Sequence, residues 1–326
     1  MCNRILKPKR KSEELIAMMR NEKGIRFDLM NEEDAILYLK KRNNYMRTAA
    51  YRKNYPKHIF GNNKGKYIQL DFQNLTTLSA LDKEFREKLL QMSIDVEHAI
   101  QVHLLQELED NDEEDGYQIV EDFLRDNPYI RENLVRTSGG VYTKGLFEKY
   151  FTVEIVTTDE GYPKKKITEI DCPVWVLLEL LTFGDLLKFF EYYRNKYPHP
   201  NTIPKGILNM VKSMRNACAH NNCLFVNFAP SDGTRPPKYI SDYASHVLGM
   251  SKDDRSKKLS NRPLLEMTGL FYVYDQLVSS EAKERMKNTW DQLSHKMIEP
   301  SLGQFENNLL VVSSLRFILN LIQHIH

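Results

Sequence analysis

From Phe72 the chain repeats one signal for more than thirty residues. Leu75, Leu78, Leu81, Phe85, Leu89, Met92, Val96, Ile100 and Leu104 recur at steps of three and four, the apolar stripe of one long amphipathic helix. Asp82 and Arg86 are spaced on it for an i,i+4 pair. The stripe stops at the acidic run Glu107–Asp115, read as a solvated loop, and a shorter helix around Tyr117–Leu124 stops before Pro128. Upstream, Ser12 ahead of Glu13 and Glu14 predicts a first helix closed near Gly24, and Asn31 with Asp34 predicts a second cap. Residues 57–66 are polar with two glycines, as in a linker.

The second half is less uniform. Val153–Thr157 and Lys165–Ile170 flank a polar Gly-Tyr-Pro turn and predict a minor hairpin. Pro173 suits a first helical residue, ahead of Trp175, Leu178 and Leu181, and Pro198 and Pro200 end the apolar segment after Gly184. Ile207, Met210, Val211 and Met214 predict a helix that runs into Arg215-Asn216-Ala217-Cys218-Ala219-His220 and stops at Asn221-Asn222. Residues 230–263 read as a long polar connection, followed by helices through Leu264–Val278, Glu281–Met297 and Phe305–His324. The expected fold is all-α. A small basic N-terminal helical module (1–66) precedes a helical bundle (67–326), with the hairpin as a minor insertion.

Composition changes the picture only when the charge is divided. The 41% hydrophobic and 28% charged fractions are those of a soluble globular protein. No apolar run is long enough for a membrane helix, and the basic N-terminus lacks the apolar core of a secretory signal. Four cysteines in this length suit a reducing cytoplasm. The net charge of +2 conceals an asymmetry. Residues 1–66 hold 17 Lys+Arg and 7 Asp+Glu, so 17 − 7 = +10, and the other 260 hold 29 and 37, so 29 − 37 = −8. That points to an acidic polymer as partner, against a merely solvated charged face. Lys7, Lys9, Arg10 and Lys11, with Arg47, Arg52 and Lys53 among Tyr45, Tyr51 and Tyr55, would grip phosphates. The tyrosines are expected mainly to pack this region inward.

Phosphate loops, serine-nucleophile elbows and zinc-protease motifs are all missing. Cys218, His220 and Cys223, packed into six residues, make a poor zinc site, so neither a metal nor another cofactor is expected. Arg215, Asn216 and His220 remain. Cutting RNA requires a base for the 2′-hydroxyl, an acid for the leaving 5′-oxygen and a cation on the phosphate, and histidine and arginine suit those tasks. The bland alternative is an arginine and a histidine complementing a helix C-terminus. On an ideal helix residues five apart diverge by about 140°. A complete site therefore needs a loosened helix end or a second motif across a two-fold axis.

Arg215-Asn216-Ala217-Cys218-Ala219-His220 resembles the Arg-x(4–6)-His motif of HEPN ribonucleases. More specifically, the chain resembles the Abi-like family, the AbiD/AbiF abortive-infection proteins of bacteria. The likeness also runs through Lys23-Gly24, Asn43-Asn44-Tyr45 with Tyr51 and Tyr55-Pro56, Leu81-Asp82 and Arg86 with Glu97, Pro173-Val174-Trp175, and Leu181-Thr182-Phe183-Gly184. It departs at Met46, where a second aromatic is often seen, and at Gln101, where a basic residue is common. The resemblance implies a HEPN-type helical bundle and a metal-independent endoribonuclease toxin in the bacterial cytoplasm, restrained until phage infection. It implies Arg215, Asn216 and His220 as catalytic residues, a homodimer joining two motifs, and a small noncoding RNA as antidote. Glu97 would orient Arg215 or pair with a surface lysine. Two other classes stay open: a non-catalytic RNA-binding protein using the same surface, and a helical interaction protein whose charge asymmetry is incidental.

Overall fold

The computed structural model describes residues 8–158, 161–199, 203–231 and 233–325. It is helical almost throughout, as the pattern predicts, with one two-stranded antiparallel sheet. The chain divides into two compact units, residues 1–93 with 213–326, and residues 94–212.

The first unit begins with α1 (Ser12–Asn21) and α2 (Glu32–Lys41). α1 starts one residue earlier than a Ser12 cap would have it: Ser12 is already helical, and the Glu14 carboxylate accepts from the Lys11 N–H at 2.7 Å. Asn31 caps α2 as expected, accepting from the Asp34 N–H at 2.9 Å. Asn44 then caps α3 (Tyr45–Ala50), a short helix closed by a 3₁₀ turn over Tyr51–Asn54. Asp71 ties this region to the start of α4 (Phe72–Glu109), accepting from the Asp28 N–H at 2.8 Å and the Gln73 N–H at 2.8 Å. Residues 72–93 of α4 belong to this unit. Their apolar stripe is buried against a core centred on Trp290, whose ring lies 5.0 Å from Phe85 and whose Nε1–H points to Met92 Sδ at 3.3 Å.

The stretch 230–263 is not the plain connection its composition suggests. It carries α11 (Lys238–His246) and α12 (Lys252–Leu259), short helices that bury Ile240, Ala244 and Leu259 among polar neighbours. α13 (Arg262–Leu277) and α14 (Ser280–Leu293) follow. α14 widens into one π-helical turn (Ser294–Ile298) before α15 (Glu299–Gln304) and α16 (Leu309–Gln323).

The second unit takes the rest of α4 and holds α5 (Gln118–Asp126), α6 (Pro128–Thr137) and α7 (Lys144–Tyr150). Pro128, expected only as a stop, opens α6 at a position where no N–H is needed. The hairpin pairs β1 (Phe151–Thr157) with β2 (Pro163–Ile170), with a register shift at Thr152/Val153. Asp159 and Glu160 of its turn lie outside the described residues. Pro173 caps α8 (Val174–Leu180) rather than starting it, and Thr182 caps α9 (Phe183–Lys196). Phe123 and Phe189 meet edge to face at 5.0 Å in this core. The acidic run is not simply solvated. Glu107 pairs with Arg194, and the carboxylate of Glu114, almost fully buried, accepts from Lys196 at 3.1 Å and from the Tyr197 hydroxyl at 2.9 Å. Burial without those partners would cost several kcal/mol. α10 (Lys205–Ala219) starts in this unit and ends in the first, dividing between residues 212 and 213.

Candidate functional site

The end of α10 is built by its last residues. The Asn222 N–H donates to the Ala217 carbonyl at 2.8 Å and the Asn221 N–H to the Cys218 carbonyl at 2.9 Å, the paired bonds of a Schellman cap. Asn221 takes the left-handed conformation at φ 58°, which asparagine tolerates better than most residues. His220 is thus the capping residue at the tip, and the Asn-Asn stop falls where the sequence places it. Its N–H still donates to the Asn216 carbonyl at 2.9 Å, so the helix does not loosen before the histidine. Arg215 and His220 therefore keep the divergence of about 140° that regular helix geometry gives them.

Beneath the tip lies a buried polar clamp. Asp82 occupies a step of the α4 apolar stripe, between Leu78 and Phe85, and is completely inaccessible. Its carboxylate accepts from the Tyr51 hydroxyl at 2.5 Å, from Arg86 at 2.7 Å and from the Leu224 N–H at 3.0 Å. Arg86 also reaches toward the Asn222 carbonyl at 3.4 Å. Asn54 continues the clamp, donating to the Phe225 carbonyl at 2.7 Å and accepting from the Phe228 N–H at 2.8 Å. The segment leaving the motif is thus held by side chains rather than by a helix or sheet ladder. Burial pushes the Asp82 carboxyl above its ordinary value, opposed by the three donors around it. Burial and the facing Asp82 push the Tyr51 phenol up as well, so it stays a donor. Burial likewise pushes the Cys218 thiol up to about 12, and Cys218 packs as a small apolar residue.

Of the three residues expected to act on RNA, Asn216 and His220 are exposed, and His220 makes no side-chain hydrogen bond to a described residue. Arg215 is half-buried. Its Nη1 reaches the Asn216 Oδ1 at 3.4 Å, while its Nε is enclosed with no partner among the described residues. The basic residues are placed differently. Arg47 on α3 donates to the Asn221 side chain at 3.1 Å, which brings it to the motif. Arg52 turns instead to the Tyr45 hydroxyl at 3.3 Å. Lys53, Lys9, Arg10 and Lys11 are exposed with no contact to the motif, and Lys7 lies outside the described residues. Tyr51 and Tyr55 are buried, so their packing role is the one observed. Glu97 is half-buried on α4, within residues 94–212. Among the described residues no group of three His, Cys, Asp or Glu is placed to hold a metal ion, and no helix is long and apolar enough to cross a membrane.

Sequence reading missed the role of Asn54 and took Asp82–Arg86 as an ordinary helix pair. The available signal was Asp82 itself, a carboxylate on an otherwise apolar stripe.

A mostly helical protein that fixes an Arg-x(4)-His helix end over a buried aspartate is the class these observations define. A family model described as Abi-like protein matches residues 38–226, which include Tyr51, Asp82, Arg86 and the whole motif. The chain belongs to this family, which points to abortive infection as a defence against phage. Neither the curated proteins nor the solved structures contain a match to the chain.

Proposed function

We propose that this chain is a metal-independent endoribonuclease toxin of the HEPN type, acting in abortive infection in the bacterial cytoplasm. The observation that carries the reading is an exposed His220 and an Arg215 Nε, neither with a hydrogen-bond partner among the described residues, on a helix end locked in place from below. A residue serving only to cap α10 would spend its donors on the last carbonyls; here the Asn221 and Asn222 N–H groups satisfy those carbonyls instead.

In this reading Arg215 holds the scissile phosphate, His220 moves a proton, and Asn216 positions one of them or the substrate. Attack by the 2′-hydroxyl on phosphorus expels the 5′-oxygen and leaves a 2′,3′-cyclic phosphate and a 5′-hydroxyl. The reaction needs both a base and an acid. One motif with diverging side chains supplies half of that pair, so a homodimer that brings two motifs together completes it. A small noncoding RNA bound over the same residues would keep the toxin silent.

Replacing His220 by alanine is expected to lower cleavage of total RNA by about 10²- to 10⁴-fold, the usual contribution of a positioned acid or base, with the melting temperature unchanged. Arg215→Ala should fail in the same way. Variants that cleave RNA and arrest growth like the parent would leave the second reading, a non-catalytic protein that holds a noncoding RNA. Mixing an Arg215→Ala chain with a His220→Ala chain tests the composite site: recovered activity supports it, and full activity in a sedimenting monomer excludes it.

A further inference from the structure

Residues outside the catalytic triplet form a second feature of the first unit. A cleft of about 1000 Å³ opens between α2, α3, α4, the tip of α10 and the π-helical turn with α15. Its charge is one-sided: Arg42, Arg47, Lys83, Arg86 and Lys296 line it, with Glu87 as the lining carboxylate. Arg86 is neutralised from behind by Asp82 at 2.7 Å, and Lys83 lies 3.5 Å from Glu87. Arg42, Arg47 and Lys296 make no ion pair among the described residues, so three positive charges face the cleft uncompensated. Low-dielectric walls focus such a field.

Two further features separate the cleft from an incidental basic patch. Lys296 projects from the π-helical turn, a backbone irregularity that costs regular hydrogen bonding and recurs at functional sites. The Gln304 Nε2 group, where α15 meets the cleft, is enclosed without a hydrogen-bond partner among the described residues, although Gln304 Oε1 accepts from Thr77 at 3.0 Å. A buried amide donor without an acceptor is a cost that a bound acceptor would remove.

We propose that this cleft holds the phosphate–ribose chain of single-stranded RNA alongside the Arg215–His220 motif. The choice of RNA rests on the ribonuclease reading above; the strandedness rests on the cleft. Its exposed cations, Arg42, Lys83 and Lys296, surround a floor made by the buried Arg86 and the enclosed Gln304 amide. A single strand can lower a phosphate or an unpaired base edge onto that floor. An A-form duplex, with its phosphates on the outside of a broad cylinder and its base edges engaged, reaches only the exposed cations. Asn221, which lines the cleft beside His220, joins the strand's path to the motif.

The test uses a fluorescein-labelled 12-nucleotide oligouridylate and a 12-base-pair RNA duplex, titrated by anisotropy against the full chain over a range of salt. All proteins carry His220→Ala, so the probe is not consumed. The parent is expected to bind the single strand at least ten times more tightly than the duplex. The Arg42→Ala/Lys296→Ala double variant should weaken single-strand binding at least tenfold. It should also flatten the slope of log K against log salt by about 1.4, the loss of two phosphate contacts at about 0.7 each. A control with the same charge change, Lys252→Ala/Lys257→Ala on exposed α12, should bind like the parent. Equal affinity for duplex and single strand, or a double variant with unchanged affinity and slope, overturns the proposal. The outcome separates from that of the ribonuclease reading. Loss of binding in the double variant with no cleavage by the chain carrying His220 keeps the cleft and discards the enzyme. Cleavage abolished by His220→Ala, with binding indifferent to Arg42 and Lys296, does the reverse.

Discussion

Two arginine–carboxylate pairs in the first unit join the same chemical groups in opposite settings. Arg86 and Asp82 sit one turn apart on α4 with side chains 7% and 0% exposed, while Arg20 of α1 and Glu32 of α2 meet with 58% and 35% exposed. The outer pair attracts through water and salt, and its two long side chains lose rotamer freedom in meeting. The inner pair has lost nearly all of its water, so each group depends on the other and on Tyr51, Leu224 and Asn222 for its hydrogen bonds. The contrast teaches where the polar groups of this fold are structural. Those under the motif fix a loop; those on the N-terminal helices decorate a surface. A third cation extends the contrast. Lys258 on α12 is mostly buried but has two serine hydroxyls, Ser313 at 2.8 Å and Ser314 at 2.9 Å, in place of a carboxylate.

Breaking the inner pair should have the largest effect on stability. Asp82→Ala strands the Arg86 guanidinium, the Tyr51 hydroxyl and the Leu224 N–H together, and is expected to cost about 3–5 kcal/mol by urea denaturation. Because the same change releases the segment after His220, any RNA cleavage should fall with it. Next comes Asn54→Ala, which leaves the Phe228 N–H and the Phe225 carbonyl without their side-chain partner, at about 1–3 kcal/mol for groups left unsatisfied. If either variant is as stable as the parent, the clamp is not what holds residues 220–228.

Lys258 sharpens the comparison through pH. Burial lowers its pKa from the usual 10.5 to about 8, the direction expected of a cation without a buried counter-charge. Between those two values the unfolded chain binds the proton and the folded chain does not, so this residue makes stability rise with pH from about 8 to about 10.5. Lys258→Met should remove that rise, read as the difference in urea midpoint between parent and variant at pH 7.5 and pH 9.5. A difference that stays constant across the two pH values refutes the lowered pKa.

Much of this was legible along the chain, and the reasons differ by element. α4 announces itself because one face is apolar at nearly every step, and the end of α10 because two asparagines in a row cannot easily continue a helix. α11 and α12 were hidden because each buries only a few apolar residues, too few to stand out of a polar stretch by periodicity. Pro128 was read as a terminator although proline suits a first turn as well as a stop. The grouping of residues 1–93 with 213–326 depends on contacts between segments far apart in sequence, such as Asn54 with Phe225, which no local pattern encodes. At the site, the motif was readable and its support was half readable. Asp82 could be seen as out of place on the stripe and one turn from Arg86, but its partners Tyr51 and Leu224 come from stretches of chain that only folding joins to it. The cleft cations were unreadable for the same reason: Arg42, Lys83 and Lys296 look like any surface charges until helices set them around one opening.

The smallest expected effect belongs to the outer pair, and it is the one that decides whether the comparison is about burial or merely about arginine and carboxylate. Glu32→Gln keeps the shape and hydrogen-bonding reach of the side chain while removing its charge, so any change reports the lost charge, paired with Arg20, rather than lost packing. Exposed pairs are usually worth between nothing and about 1 kcal/mol. Glu32 also stands in the first turn of α2, where a negative charge complements the helix dipole and contributes about 0.3–1 kcal/mol of its own. Both contributions are screened by salt, so the cost of Glu32→Gln should be under about 1.5 kcal/mol in dilute buffer and should fade toward zero in 1 M sodium chloride, where the Debye length is about 3 Å. The cost of Asp82→Ala should persist at the same salt, because Asp82 itself is completely enclosed. Parallel urea titrations of the two variants at low and high salt make the comparison directly. Equal salt sensitivity at both sites would mean that Asp82 is reached by solvent, and the clamp would lose its role in holding the end of α10.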